Sequence, residues 1–154
     1  MKKIAITSIA PGHKNFDTQL TAVKSWIDLG LTVLSMNHPN EIAELKSKFK
    51  NVEFIPTIRT NEGIFKKPYV VVSAILDYLK TREEDKFLLI NSDIIIFDSW
   101  KMEEEIYKNA DKGIVVMNRY NFDEGRMRYG VKYDSGFDAF LIHKKFLNIF
   151  PQTI

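Results

Sequence analysis

The stretch KFLLINSDIIIFD, which spans Lys86–Asp98, decides the predicted fold of this chain. Four apolar residues lead into the polar triplet Asn91-Ser92-Asp93, and four more apolar residues follow it. A continuous apolar run is typical of a buried strand in an α/β sheet. Because a polar triplet is costly to bury without partners, we expect the strand to reach the surface there, at its carboxyl end. Ligands of open α/β sheets bind at such ends.

Strands and helices alternate along the rest of the sequence. Apolar runs and helical spacing predict strand 3–9, helix 16–30, strand 31–36, helix 41–49, strand 52–55, polar loop 57–67, a helix opened by Pro68, the strand at Lys86, helix 100–109, strand 114–117, a loop or irregular hairpin 119–134, strand 139–142 and a helical turn 144–149. Asn40 is the predicted N-cap of the second helix. Such alternation indicates a three-layer α/β fold, with a mostly parallel, Rossmann-like sheet and helices on both faces.

The order of the strands decides where a ligand would bind. Right-handed crossovers restrict the topology, and the order 3-2-1-4 would place the carboxyl ends of the first and fourth strands side by side. That arrangement creates a crevice at the point where the strand order reverses. We therefore expect the binding site between the exit of the first strand and the triplet that follows the fourth.

The composition is that of an ordinary globular protein. The 154 residues fit one domain over 1–154, with 45% hydrophobic and 27% charged residues. The net charge of +2 is too small to indicate a nucleic-acid partner. No apolar span approaches the ~18 residues that a membrane-spanning helix needs. Cysteine is absent, which excludes disulfides and thiolate metal sites. No signal peptide is recognised, so we expect a cytoplasmic protein.

Asp93 and Asn91 are the first candidate site residues. A carboxylate at this position could bind Mg²⁺ or Mn²⁺, and the amide could hydrogen-bond a ribose or a phosphate. Hard oxygen ligands suit these metals, and few protein ligands are needed when substrate phosphates complete the shell. The alternative is a surface turn in which the aspartate caps local backbone N–H groups.

Ser8 and Lys67 are candidates for binding the nucleotide. Ser8 follows the first strand in a segment that lacks both the Walker glycine spacing and GxGxxG, which argues against a P-loop ATPase and a Rossmann dehydrogenase. Small residues there would let a base and a ribose approach the backbone, although an ordinary strand-to-helix turn would look the same. Lys67, with Arg59 and Lys66, could neutralise a diphosphate, or these cations could form a solvated surface.

Asp138 is the candidate catalytic residue. It lies in the sequence GFDAF, where a glycine and an aromatic residue precede the carboxylate at the start of an apolar strand. This placement would put the carboxylate at a pocket wall, where it could orient an acceptor hydroxyl or act as a general base. A capping aspartate before a strand is the alternative.

These segments resemble the GT-A fold of nucleotide-sugar glycosyltransferases, of the nucleotide-diphospho-sugar transferase type. The resemblance rests on KKIAITS (2–8), LLINSDIII (88–96) and SGFDAFLIHKKFLNIFP (135–151). Members of this family carry an Asp-X-Asp motif after a central strand, whose first Asp contacts the ribose and whose last Asp binds the metal. The resemblance implies that Asp93 is the metal ligand, that Asn91 replaces the first Asp, and that Asp138 lies near the acceptor or is the catalytic base.

The activity that the resemblance implies is transfer of a sugar from a nucleoside-diphosphate sugar to an acceptor hydroxyl, assisted by Mn²⁺ or Mg²⁺. The acceptor is not indicated. One alternative is a GT-A-shaped binding module with reduced catalysis, which Asn91 favours. Another is a sugar nucleotidyltransferase, although its usual glycine-rich basic loop does not match residues 8–14. The chain is short for the family, which fits a reduced transferase that acts with a partner or as a homo-oligomer.

Overall fold

The computed structural model describes residues 2–97, 103–121 and 130–149. The described strands are β1 (Ile4–Thr7), β2 (Thr32–Asn37), β3 (Val52–Pro56), β4 (Lys86–Ile90), β5 (Val115–Met117), β6 (Tyr120–Asn121), β7 (Val131–Lys132) and β8 (Ala139–His143). The helices are α1 (Phe16–Asp28), α2 (Pro39–Lys48), α3 (Glu62–Phe65), α4 (Val72–Lys80), α5 (Glu103–Asn109) and a 3-10 helix (Lys144–Ile149). The predicted start of the helix at Trp100 lies outside the described residues. No helix in the described part of the chain is long and apolar enough to cross a membrane.

Six strands form one mixed sheet in the order β3-β2-β1-β4-β8-β5, and β6 pairs with β7 in a separate hairpin. β1 is parallel to both β2 and β4, and β2 is parallel to β3, which confirms the predicted order 3-2-1-4. β8 lies antiparallel between β4 and β5. The start of β8 therefore lies beside the end of β4, with Ala139 paired to Ile90.

Helices cover both faces of the sheet, as predicted. Side chains of successive residues in a strand point to opposite faces, and β4 shows the result: Leu88 packs with α1, α2 and α5, whereas Phe87 packs with α4 and the 3-10 helix. Both side chains are fully buried. The fold therefore has two apolar cores, one on each side of the sheet, and burial of their surface is its main source of stability.

β4 ends at Ile90, so the polar triplet follows the strand, as expected. The apolar residues 94–96 do not continue the strand; they are half-buried and pack back onto the core beside α1. Two residues of α1 hold this segment. The indole Nε1 of Trp26 donates to the carbonyl of Ile94 at 2.8 Å, and the hydroxyl of Ser25 accepts from the N–H of Ile96 at 3.0 Å.

The predicted N-cap of the second helix is wrong. His38, and not Asn40, occupies that position, and its Nδ1 accepts a hydrogen bond from the N–H of Asn40 at 3.3 Å. Pro39 then takes the first helical position, where the missing N–H of proline costs no hydrogen bond. A histidine ring nitrogen thus replaces the usual Asp, Asn, Ser or Thr side chain, which is why the sequence pattern placed the cap two residues late.

The predicted start of the helix after the polar loop is also wrong. α4 begins at Val72 and not at Pro68. Residues 68–71 stay extended because the N–H of Val71 donates to the carbonyl of Arg59, and Val70 forms an antiparallel bridge with Thr60. The segment 57–67, predicted as a loop, contains the short helix α3. Backbone pairing within this segment therefore overrides the preference of proline for a helix start.

We expect Glu84→Gln to lower the free energy of unfolding by about 1–2 kcal/mol at pH 7, because Arg82 donates to this carboxylate and both side chains are largely buried. The hydrogen bond from Arg82 holds the pKa of Glu84 below its ordinary value of 4.5. A lowered folded pKa means that the stabilisation is present above about pH 4.5 and is lost as the pH falls through the folded value. The difference in stability between the two proteins should therefore shrink as the pH is lowered below about 4.5.

Glu44→Gln is the matched control. Glu44 pairs with Lys48 one turn along α2, but this pair is exposed, and such pairs contribute only about 0.3–0.5 kcal/mol. Equal losses for the two variants at pH 7, or a difference between wild type and Glu84→Gln that does not shrink as the pH falls below 4.5, would contradict the assignment.

Candidate functional site

A cavity of about 610 Å³ lies where β1 and β4 end. Residues 7–13, after β1, form one wall, and residues 89–93, at the end of β4, form another. Residues 67–70 and the first turns of α4 close a third side. All five predicted site residues line this cavity: Ser8, Lys67, Asn91, Asp93 and Asp138. The cavity therefore occupies the switch-point crevice that the strand order predicted.

Asp93 presents its carboxylate at this cavity. The residue is exposed, and no hydrogen bond or ion pair joins its side chain to any residue that the structure describes. The turn that carries it is fixed by its neighbour: the hydroxyl of Ser92 donates to Oε1 of Gln19 at 2.7 Å. A free carboxylate on a fixed turn is available to a ligand, and the alternative of a capping aspartate has no support among these contacts.

Asn91 and Asp138 contact each other across β4 and β8. Nδ2 of Asn91 donates to Oδ1 of Asp138 at 2.9 Å, and the backbone N–H of Asn91 donates to the carbonyl of Asp138 at 3.0 Å. Nη1 of Arg119 lies 2.6 Å from the same Oδ1. Asp138 is only 5% exposed, and its other oxygen, Oδ2, is buried without a hydrogen-bond partner. Its negative charge is therefore met by a cation within the protein.

Gln19 of α1 joins the two walls of the cavity. This side chain is 1% exposed; its Oε1 accepts from the N–H of Ala10 at 2.9 Å, and its Nε2 donates to the carbonyl of Ala10 at 2.9 Å. Because Oε1 also accepts from Ser92, one amide ties the segment after β1 to the turn after β4. Gln19 is not among the predicted site residues, because a lone glutamine within a helical pattern gives no indication that it links two loops.

The segment after β1, which carries Ser8, is also held from β2. The N–H of Ile9 donates to the hydroxyl of Ser35 at 3.0 Å, and Nδ2 of Asn37 donates to the carbonyl of Ile9 at 2.8 Å. The same Nδ2 contacts Oε2 of Glu41 at 3.0 Å, and Glu41 lines the cavity. The backbone N–H groups of Ile9 and Ala10 are thus used within the protein and are not free to bind an anion.

Of the three candidate cations, only Lys67 lines the cavity. Arg59 instead contacts α4, where its guanidinium donates to Asp77 at 2.7 Å and to Ser73 at 3.0 Å. The hydrogen bond from Arg59 is the main reason that the pKa of Asp77 lies below its usual range. Lys66 is exposed in the left-handed backbone conformation, with φ of 56°. A diphosphate in the cavity would therefore meet one lysine.

Apart from Lys67, the third side of the cavity and the sheet residues next to it are apolar. They include Tyr69, Val70, Val72 and Ile75 from the α4 side and Leu89 and Phe140 from the sheet. The edge of Phe137 lies against Phe140, with ring centroids 6.3 Å apart, and Phe137 is half exposed. The cavity thus has a polar side at the end of β4 and an apolar side beneath α4, and mixed linings of this kind are typical of small-molecule sites.

The donor set fits a divalent cation only in part. No three His, Cys, Asp or Glu side chains among the described residues are grouped so that they could hold a metal ion. Asp93 offers one free carboxylate, whereas the charge of Asp138 is met by Arg119. Magnesium in particular is held by one or two carboxylates together with substrate phosphates and water. The residues therefore fit a cation that binds with a nucleotide, and not one held by protein ligands alone.

Comparison with solved structures supports the fold. The chain is similar to a 4-diphosphocytidyl-2C-methyl-D-erythritol synthase, with a TM-score of 0.57 and 12% identity over 98% of this chain and 81% of that one. It is similar to a proposed glucose-1-phosphate thymidylyltransferase from Bacillus anthracis, with a TM-score of 0.55 and 13% identity over 96% of this chain and 74% of that one. It is also similar to a mannose-6-phosphate isomerase from Helicobacter pylori, with a TM-score of 0.58 and 18% identity over 94% of this chain and 71% of that one.

No protein-family model matches the sequence, and no curated protein matches it. The structural likenesses lie at identities of 18% or less, so they define the fold and leave the reaction open. The chain shares the α/β fold of these solved structures, and its cavity lies at the ends of β1 and β4.

Proposed function

We propose that this protein binds a nucleoside-diphosphate sugar in the cavity between β1 and β4 and transfers the sugar to an acceptor hydroxyl. The observation that carries the proposal is the unpartnered carboxylate of Asp93 at the end of the central strand, facing the same cavity as Lys67. A carboxylate and a cation that line one cavity suit a diphosphate that arrives with a divalent metal. The structural neighbours support a nucleotide-sugar transferase fold.

Each wall has a part in this proposal. Asp93 would hold Mn²⁺ or Mg²⁺, and Lys67 would contact the diphosphate oxygens. Ser8 and Asn91 would contact the nucleoside, since both line the same cavity as Asp93. The metal, when bound, neutralises negative charge that builds on the departing diphosphate. The apolar side, around Phe140 and α4, would exclude water from the transfer and leave room for the acceptor.

Asp138 keeps its proposed place on the acceptor side of the cavity, but its contacts disfavour proton abstraction. A general base must reach the hydroxyl within about 2.6–3.2 Å. Oδ1 of Asp138 is bonded to Asn91 and Arg119, and Oδ2 is closed off from solvent. Direct contact of this carboxylate with the acceptor, whether as base or as orienting group, would therefore require Asp138 to leave these contacts.

The alternative activity is that of a sugar nucleotidyltransferase, which the named neighbours favour on fold alone. Such an enzyme must bind a nucleoside triphosphate, and free backbone N–H groups after β1 would help it to do so. Here the N–H groups of Ile9 and Ala10 are bonded to Ser35 and Gln19. Those two N–H groups are therefore not available to a triphosphate. A binding module without turnover would share the same cavity.

Calorimetry with UDP and GDP, each with and without Mn²⁺, tests the proposal. We expect one nucleotide to bind, and we expect binding to weaken at least about tenfold without the metal, since a charge-assisted contact is lost. Slow hydrolysis of the matching nucleotide sugar would separate a transferase from a binding module. Release of pyrophosphate from a nucleoside triphosphate and a sugar 1-phosphate would instead identify the nucleotidyltransferase. If no nucleotide binds with or without metal, the proposal fails.

A further inference from the structure

Arg119 lies outside the cavity lining yet contacts the side chain that supports it. Its Nη1 is 2.6 Å from Oδ1 of Asp138, and its Nε donates to Oδ1 of Asn121 at 2.7 Å. The guanidinium carbon lies 4.0 Å from the ring centroid of Tyr133. The guanidinium is thus held by a carboxylate, an amide and an aromatic face, so its position is fixed more tightly than that of a free surface arginine.

The Arg119–Asp138 pair fixes the orientation of the Asn91 amide. Oδ1 of Asp138 accepts from both Arg119 and Asn91, and only the NH₂ end of an asparagine can donate to a carboxylate. The amide of Asn91 therefore cannot be flipped without losing this bond. Its own carbonyl oxygen, Oδ1, has no hydrogen-bond partner among the described residues, and the residue is exposed at the cavity. What Asn91 offers to a ligand is accordingly an acceptor and not a donor.

The same contact explains why an amide suits this position. An aspartate at position 91 would place a second carboxylate against Oδ1 of Asp138, with a single guanidinium to neutralise both. Two carboxylates that share a site cannot both ionise without a large cost, so one of them would bind a proton. Asn91 keeps the end of β4 free of that conflict and leaves Asp93 as the carboxylate there without a cation in contact among the described residues.

We propose that Arg119 and Asp138 are positioning residues, which hold the Asn91 side chain so that its Oδ1 accepts a hydrogen bond from a ribose hydroxyl of the bound nucleotide. The inference rests on the proposed function, because it needs a nucleotide in the cavity. It adds that recognition of the hydroxyl depends on the guanidinium of Arg119, which follows β5 and lies 28 residues after Asn91 in the sequence.

The test compares binding of UDP and GDP with binding of their 2′-deoxy and 3′-deoxy forms, by calorimetry in the presence of Mn²⁺. For the wild type we expect loss of one hydroxyl to weaken binding roughly tenfold, the effect of one well-formed hydrogen bond. Arg119→Gln should reduce this ratio towards one, and Arg119→Lys should retain part of it, because the cation remains. Arg82→Gln is the matched control: Arg82 is also ion-paired and largely buried, but it lies outside the cavity lining.

A second arm does not depend on any ligand. Asn91→Asp should lower the thermal unfolding midpoint at pH 7, because a second carboxylate would then face Oδ1 of Asp138. The exchanged protein, which carries both Asn91→Asp and Asp138→Asn, again has one donor and one acceptor at this contact. Its thermal unfolding midpoint should return most of the way to the wild-type value. If the exchanged protein is no more stable than Asn91→Asp alone, the orienting contact is not as inferred.

The outcomes separate the two proposals. If the wild type binds none of these nucleotides, the proposed function fails, and the inference about the hydroxyl fails with it. If the wild type binds but does not distinguish ribose from deoxyribose, or if Arg119→Gln folds and keeps the wild-type ratio, the inference fails while the proposed function stands.

Discussion

Asp93→Asn is expected to abolish the Mn²⁺-dependent part of nucleotide binding, so the loss in nucleotide affinity should equal the loss on omitting the metal, at least about tenfold. Replacing a residue that hydrogen-bonds a metal ligand costs about 10–100-fold in metal affinity. Removing the charge of the ligand itself should therefore cost at least as much metal affinity. The change is nearly isosteric, and Asp93 has no intramolecular partner among the described residues. The folded structure should therefore be unaffected, and the loss should fall on the ligand alone. Calorimetric titration of UDP and GDP with Mn²⁺ measures it.

Asp28→Asn is the control for this change. Asp28 is an exposed carboxylate at the end of α1, paired with Lys24 and outside the cavity lining. It should bind nucleotide as the wild type does. Metal-dependent binding that survives in Asp93→Asn would remove Asp93 from the proposed metal site, and an equal loss in both variants would point to a general effect of charge.

Trp26→Ala is expected to lower the free energy of unfolding by about 3–5 kcal/mol, the usual cost of removing a large buried aromatic side chain. Trp26 is fully buried between α1 and the sheet. The same change removes the indole N–H that donates to the carbonyl of Ile94, directly after Asp93. Chemical denaturation gives the stability, and nucleotide titration of the folded variant should show weaker binding as well.

Trp26→Phe separates these two effects. It keeps most of the apolar contact but leaves the carbonyl of Ile94 without its donor, and an unsatisfied buried group costs about 1–3 kcal/mol. We expect this variant to fold, with an intermediate stability and with weaker nucleotide binding. Wild-type stability in Trp26→Phe would show that the indole hydrogen bond does not hold the segment after Asp93.

The parallel half of the sheet could be predicted from the sequence because its strands alternate with amphipathic helices, and that pattern permits few topologies. Its strand order and the position of the triplet after β4 are confirmed. The fold around α3 and α4 could not be predicted, since backbone pairing between residues 59–60 and 70–71 decides where α4 begins. Proline at position 68 gave the opposite signal, because propensity is local and this pairing is not.

The candidate site was predictable where polar residues interrupt apolar strands. Asn91, Asp93 and Asp138 carry that signal, and they lie at one cavity. The residues that hold this part of the site in place give no such signal in the sequence. Gln19 sits in a helix and Arg119 in a polar segment, and each acquires its role only when the sheet brings distant parts of the chain together. Roles in the reaction stay predictions until nucleotide and metal binding are measured.

The reversed direction of β8 has a consequence for how this protein could change. In the parallel strands, the residues that face the cavity come after each strand, and any alteration there disturbs the crossover that follows. In β8 they come before the strand, at Asp138, at the end of the stretch that leads in from β5. Changes in that stretch that keep Arg119, Tyr133 and Asp138 leave the pairing of Ala139 with Ile90 intact. New ligand specificity could thus arise at this side of the cavity without a change in the parallel strands.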